Sequence, residues 1–126
     1  MNELVIPGQY NKPGIILNKT QNRFEFAGNS FPDDPISFYN PVEKWVSGYV
    51  ESPNKHTKLV FKMEYFNTAS TVYFMNIFNL FRKVLHKNCS LSVAWYYNYD
   101  DKPIYDIGNM YHELTNIPFD FISVED

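Results

Sequence analysis

No aspartate or glutamate occurs between Tyr65 and Tyr99, although the 126-residue chain carries 14 elsewhere. A helix in that stretch has no carboxylate of its own to neutralise the positive end of its dipole. Cysteine is nearly absent as well. Cys89 stands alone, which excludes an internal disulfide and a cysteine-based zinc site. His56, His86 and His112 lack metal-ligand spacing, Cys89 has no evident base partner, and no glycine-rich phosphate loop is found. The chain therefore reads as neither an enzyme nor a protein with a metal or cofactor. No apolar run approaches membrane-spanning length, so membrane insertion is not expected. Met1 to Gly8 lacks a basic region followed by a long apolar run, so a signal peptide is not expected and a cytoplasmic location is. There is no excess of base either. The net charge of −3 argues against nucleic acid, whose binding needs a basic footprint.

What is present is a soluble, aromatic-rich composition with enough length for one domain, residues 1–126, and a sizeable core. Leu4-Val5-Ile6 suggests a short leading strand. Gly14 to Asn18, a polar turn at Lys19 to Asn22, and the alternating Arg23 to Gly28 predict a β-hairpin with Phe24 and Phe26 facing inward. Asn29 to Pro35 is a loop in which Asp33 or Asp34 can cap a helix running to about Val50, although Pro41 argues for a start nearer Asn40. Lys58 to Phe66 alternates, with Leu59, Phe61, Met63 and Tyr65 on one face and Lys58, Val60, Lys62 and Glu64 on the other. One polar face excludes helices on both sides of the sheet.

A second helix is expected from Thr68 to Lys87, with Tyr73, Phe74, Ile77, Phe78, Leu80, Phe81, Val84 and Leu85 on one arc. Ser90 to Tyr97 is a strand, Ile104 to Thr115 a third helix burying Ile107, Met110, Tyr111 and Leu114, and Pro118 to Val124 a last strand. Strand, helix, strand in this order gives right-handed crossovers and parallel neighbours. The expected fold is a two-layer α/β domain with a mixed, mainly parallel sheet and about three helices on one face.

The informative stretch is Glu64 to Phe74. It ends a strand, turns through polar residues, and opens the most apolar helix with three hydroxyls: Thr68, Ser70 and Thr71. Hydroxyls at a helix start are ordinary caps. They are also where a phosphate would meet free N–H groups and the positive dipole end. The backbone N–H groups of Ser70, Thr71 and Val72 are the expected phosphate donors. Ser30, Asp33 and Asp34 leave the preceding strand and are expected on the same sheet edge.

Two boxes then carry a resemblance. Phe26-Ala27-Gly28-Asn29-Ser30-Phe31-Pro32-Asp33 and Tyr65-Phe66-Asn67-Thr68-Ala69-Ser70 resemble the F-x-G-x-S-x-P-acid and Y-x-N-T-S-S boxes of the SiaC family of bacterial regulatory phosphoproteins. Leu4 to Gly8 and Val93 to Tyr97 fit as well. Ala69 departs from the family's usual serine. The resemblance implies a STAS-like fold and a partner switch: a serine/threonine kinase modifies Thr68, a PP2C-type phosphatase reverses it, and the unmodified form activates a diguanylate cyclase or another effector, favouring biofilm through cyclic di-GMP. Partner-binding candidates are Tyr65, Asn67, Ser70 and Thr71 at the corner, with Ser30, Asp33 and Asp34 beside it. The competing readings are a small-ligand-sensing STAS-like module, which would need a deep apolar pocket, and a small enzyme, which would need a cleft with paired titratable groups.

Overall fold

The structure, a computed structural model, describes residues 2–125; Met1 and Asp126, which the expected domain includes, lie outside them. Six strands form one sheet in sequence order: β1 Leu4–Ile6, β2 Gly14–Asn18, β3 Arg23–Ser30, β4 His56–Phe66, β5 Ser90–Asn98 and β6 Phe119–Val124. The β1/β2 and β2/β3 pairs are antiparallel, and β3 to β6 are mutually parallel. Three helices make the crossovers: α1 Pro35–Tyr49, α2 Thr68–Phe81 and α3 Lys102–Thr115. Each crossover joins a strand to its immediate neighbour, always stepping the same way. Right-handed connections then deliver every helix to one face. The burial pattern agrees, since Phe24, Phe26, Leu59, Phe61, Val93 and Trp95 are buried while Lys58, Lys62 and Glu64 on the other face are exposed. The strand order never reverses, so the sheet lacks the switch-point crevice in which open α/β sheets usually bind ligands.

Much of the aromatic content is core. Phe26 stacks on Phe61 at 4.5 Å, and Phe61 stacks on Trp95 at 5.6 Å. The helices rest on this band through Phe74, Phe78 and Tyr111. Burying each such ring contributes about 1.5–3 kcal/mol.

Four local expectations change. Asp34 caps α1 by accepting from the Ser37 N–H at 3.2 Å and its hydroxyl at 2.7 Å, so the helix begins at Pro35 and Pro41 lies inside it. These bonds hold the exposed Asp34 carboxyl below the usual carboxylate range. After Phe81, α2 tightens into a 3-10 turn over Arg82–Lys87; the changed phase leaves Leu85 exposed. Asp101 caps α3, accepting from the Ile104 N–H, so the helix begins at Lys102, two residues earlier than expected. The buried stripe of α3 is Ile104, Gly108, Tyr111 and Thr115, whereas Met110 and Leu114 face solvent.

The fourth change shapes the site. Gly28 pairs with Met63 but Asn29 pairs with Tyr65, so Glu64 is an extra residue in β4. A bulge of one residue reverses the in-out parity beyond it. Tyr65, expected inside, is 54% exposed, and Phe66 takes the buried position instead. Gly28, across from the bulge, has φ of +103°, a conformation that a side chain would oppose.

Candidate functional site

The corner between β4 and α2 lies at the C-terminal edge of the parallel strands. Asn67 is the N-cap of α2, and its side-chain oxygen accepts from the Ser70 N–H at 3.0 Å. Its carbonyl accepts from both the N–H and the hydroxyl of Thr71, each at 3.1 Å. Its own N–H donates to the Ser30 carbonyl at 3.1 Å, extending the β3/β4 ladder one step past the strand. Removing this cap with Asn67→Ala should destabilise the protein by about 1 kcal/mol, read as a lower urea midpoint. A midpoint equal to the native one would show that the Asn67 side chain is not capping.

The three hydroxyls differ in what they are free to do. Ser70 is fully buried, and its hydroxyl donates to the Ser30 carbonyl at 2.9 Å. Thr71 is half-buried and its hydroxyl is spent on Asn67. Thr68, the first residue of α2, is exposed. Its environment has no acid in the first helical turn. The expected phosphate donors need correction, because the Ser70 and Thr71 N–H groups already serve Asn67. A helix leaves its first N–H groups outside the intrahelical ladder, and here the remaining ones belong to Thr68 and Ala69.

The β3–α1 loop leaves the same sheet edge, as expected. Ser30, however, is fully buried, with its oxygen 2.7 Å from that of Ser70 and 2.5 Å from that of Tyr39. Ser30 and Ser70 thus carry the corner from beneath and offer no hydroxyl to a partner in this conformation. Asp33 and Asp34 are exposed and line a hollow of about 510 Å³ with Tyr10, Lys12 and Ser37. Three rings bridge this hollow and the corner: Tyr10 meets Phe31 at 6.0 Å, and Phe31 meets Tyr65 at 5.8 Å. Tyr10 and Tyr65 are both exposed, so an aromatic ledge ends at Tyr65, just ahead of Thr68 in the chain.

A family profile described as SiaC family regulatory phosphoprotein matches residues 6–124. The chain belongs to that family. An uncharacterized protein of Pseudomonas aeruginosa strain UCBPP-PA14 is 24% identical over 119 residues, covering 94% of each chain. The fold is shared with SiaC of Pseudomonas aeruginosa, at a TM-score of 0.88 and 22% identity over 98% of this chain and 100% of that one. It is shared equally with a chain in the crystal structure of the diguanylate cyclase SiaD in complex with its activator SiaC, at a TM-score of 0.88 and 22% identity over 96% of this chain and 99% of that one. As a SiaC-family member the chain is a regulatory phosphoprotein.

Sequence reasoning passed over Tyr39 and Tyr111. The Tyr39 hydroxyl meets Ser30, and the Tyr111 hydroxyl donates to the Thr71 carbonyl at 2.8 Å. Burial raises both phenols, Tyr39 to about 12, so both remain protonated donors at neutral pH. Both occupy apolar helical stripes, where a tyrosine looks like any other core aromatic. Tyr10 and Phe31 were hidden differently, since only the loop packing sets them against Tyr65.

Proposed function

We propose that this chain is a non-enzymatic, cytoplasmic partner-switching regulator whose signal is the phosphorylation state of Thr68. The observation that carries the reading is selective exposure: of the three clustered hydroxyls, only that of Thr68 is both exposed and uncommitted to a capping bond. A cognate serine/threonine kinase adds the phosphate and a PP2C-type phosphatase removes it. The unphosphorylated form docks on the aromatic ledge side of the corner and activates a diguanylate cyclase, as the solved complex of the SiaC relative suggests. Phosphate brings about −1.5 to −2 charges to the first turn of α2. The free N–H groups there and the helix dipole accommodate it, so the fold is retained while the docking surface gains negative charge.

The test is phosphosite mapping by mass spectrometry after incubation with ATP and the kinase encoded beside this protein. Phosphate on Thr68 is expected. Modification confined to Ser70 or Thr71 would overturn the assignment. In parallel, the unmodified chain should raise cyclic di-GMP synthesis by the neighbouring cyclase, and an equal effect from the phosphorylated chain would defeat the switch.

A further inference from the structure

Beneath the corner, three buried hydroxyls form a chain whose direction follows from counting protons. Each hydroxyl has one proton to donate. Ser70 gives its proton to the Ser30 carbonyl at 2.9 Å. The 2.7 Å contact between the two serine oxygens is then made by the Ser30 proton. The 2.5 Å contact on the other side of Ser30 is left to the proton of Tyr39. Three donors serve three acceptors in one direction, from α1 through the end of β3 into α2. The chain ends on a carbonyl that also accepts the Asn67 N–H, so it closes on the Phe66–Asn67 peptide, one peptide ahead of the one that enters Thr68. Ser30, Ser70 and Tyr39 are each 0% exposed, so no water competes for these bonds. The Tyr39 ring meanwhile stacks on Tyr73 of α2 at 5.0 Å.

We infer that Tyr39 is a positioning residue for the phospho-acceptor: its hydroxyl, acting through Ser30 and Ser70, clamps the first turn of α2 to the end of β3. The assignment of Thr68 rests on the function proposed above; the clamp itself does not. Helix α1 and the corner then move as one body, and Thr68 is presented on a fixed turn rather than a fraying helix end. The clamp also explains why a buried serine cluster lies under an exposed threonine. An apolar trio would pack as well, but it would leave the Ser30 carbonyl with one partner fewer and the turn free to open.

Amide hydrogen exchange on the full chain tests this, with native protein, Tyr39→Phe, Ser70→Ala and the double variant. Tyr39→Phe keeps every ring contact, so folding is expected to survive. Loss of one hydrogen bond of ordinary worth changes an opening equilibrium by about tenfold. Exchange at the Ser70 and Thr71 amides should therefore quicken by about tenfold in Tyr39→Phe, while the β4 amides of Leu59 to Met63 stay at native rates. The double variant should be no faster than the faster single one, because both break the same chain. Unchanged exchange at Ser70 and Thr71 overturns the proposal, as does an equal acceleration throughout β4 and α2, which would mean plain destabilisation. A second arm uses the kinase from the phosphosite mapping: kcat/KM for Thr68 should fall about tenfold in Tyr39→Phe with little change in Tm. If native protein accepts no phosphate at Thr68, the switch reading fails while the exchange arm still decides the clamp.

Discussion

Thr68→Asp should weaken binding to the proposed partner, a diguanylate cyclase, by roughly 100-fold or more, whereas Thr68→Ala should stay within a few-fold of native. Thr68 is exposed at the first position of α2, where its side chain makes no capping bond that alanine would lose. Alanine is also the better helix former, so the isolated protein tolerates it. Aspartate at this position is favourable for the free protein, by about 0.3–1 kcal/mol, because it faces the positive helix end. The cost arises only in the complex. Burying a carboxylate without a cationic partner costs several kcal/mol, and each 1.4 kcal/mol is about tenfold in affinity. The carboxylates of Asp33, Asp34 and Glu64 lie on or near the same edge and are exposed, so they oppose a further negative charge there. Calorimetric titration of the cyclase with the three proteins measures this. Native affinity of the Asp variant, or tighter binding, would show that the partner supplies a cation at this point and would sink the release mechanism. The thermal midpoints of both variants should lie at or above the native value, which separates lost binding from lost fold.

Gly108→Ala should lower stability by about 3 kcal/mol and the thermal midpoint by about 10 °C. An added Cβ would lie 2.4 Å from Trp95 Nε1 and 2.6 Å from two further indole atoms. Trp95 has no room to retreat. Its N–H donates to the Ile104 carbonyl at 3.0 Å, and its ring packs on Phe61 at 5.6 Å and Tyr111 at 5.7 Å. Either α3 lifts off the sheet or the indole breaks its hydrogen bond. Alanine gains about 1 kcal/mol over glycine in a helix, which is too little to offset the clash. Thermal unfolding followed by circular dichroism decides it: a midpoint equal to or above native would mean that α3 shifts at no cost. Because Tyr111 on the same helix donates to Thr71, movement of α3 also reaches the corner.

Legibility in the sequence followed periodicity. The alternation of β2 to β5 placed Phe24, Phe26, Leu59 and Phe61 in the core, and the turn at Lys19 to Asn22 marked the hairpin. It failed where a single residue breaks the period. One extra residue, Glu64, sent Tyr65 outward and with it created the ledge beside Thr68. Helix α3 misled for a related reason. Hydrophobicity pointed to Met110 and Leu114, but the side that approaches the sheet is chosen by Gly108, whose value is having no side chain. Ser30 and Ser70 looked like surface hydroxyls because polarity is a poor guide when hydroxyls satisfy one another.

By itself the sequence determined the layer arrangement, the parallel crossovers, and the acid-free helix opening on a cluster of hydroxyls. These depend on local spacing and composition, which the chain carries in one dimension. Tertiary structure alone decided which hydroxyl is available. Ser70 is withdrawn by Ser30 and Tyr39, from other elements of the chain, and Thr68 is left outside because the helix begins at that residue. Hydrogen-bond commitment between distant residues has no signature in spacing, so which hydroxyls are spent and which is left exposed appears only when the three elements meet.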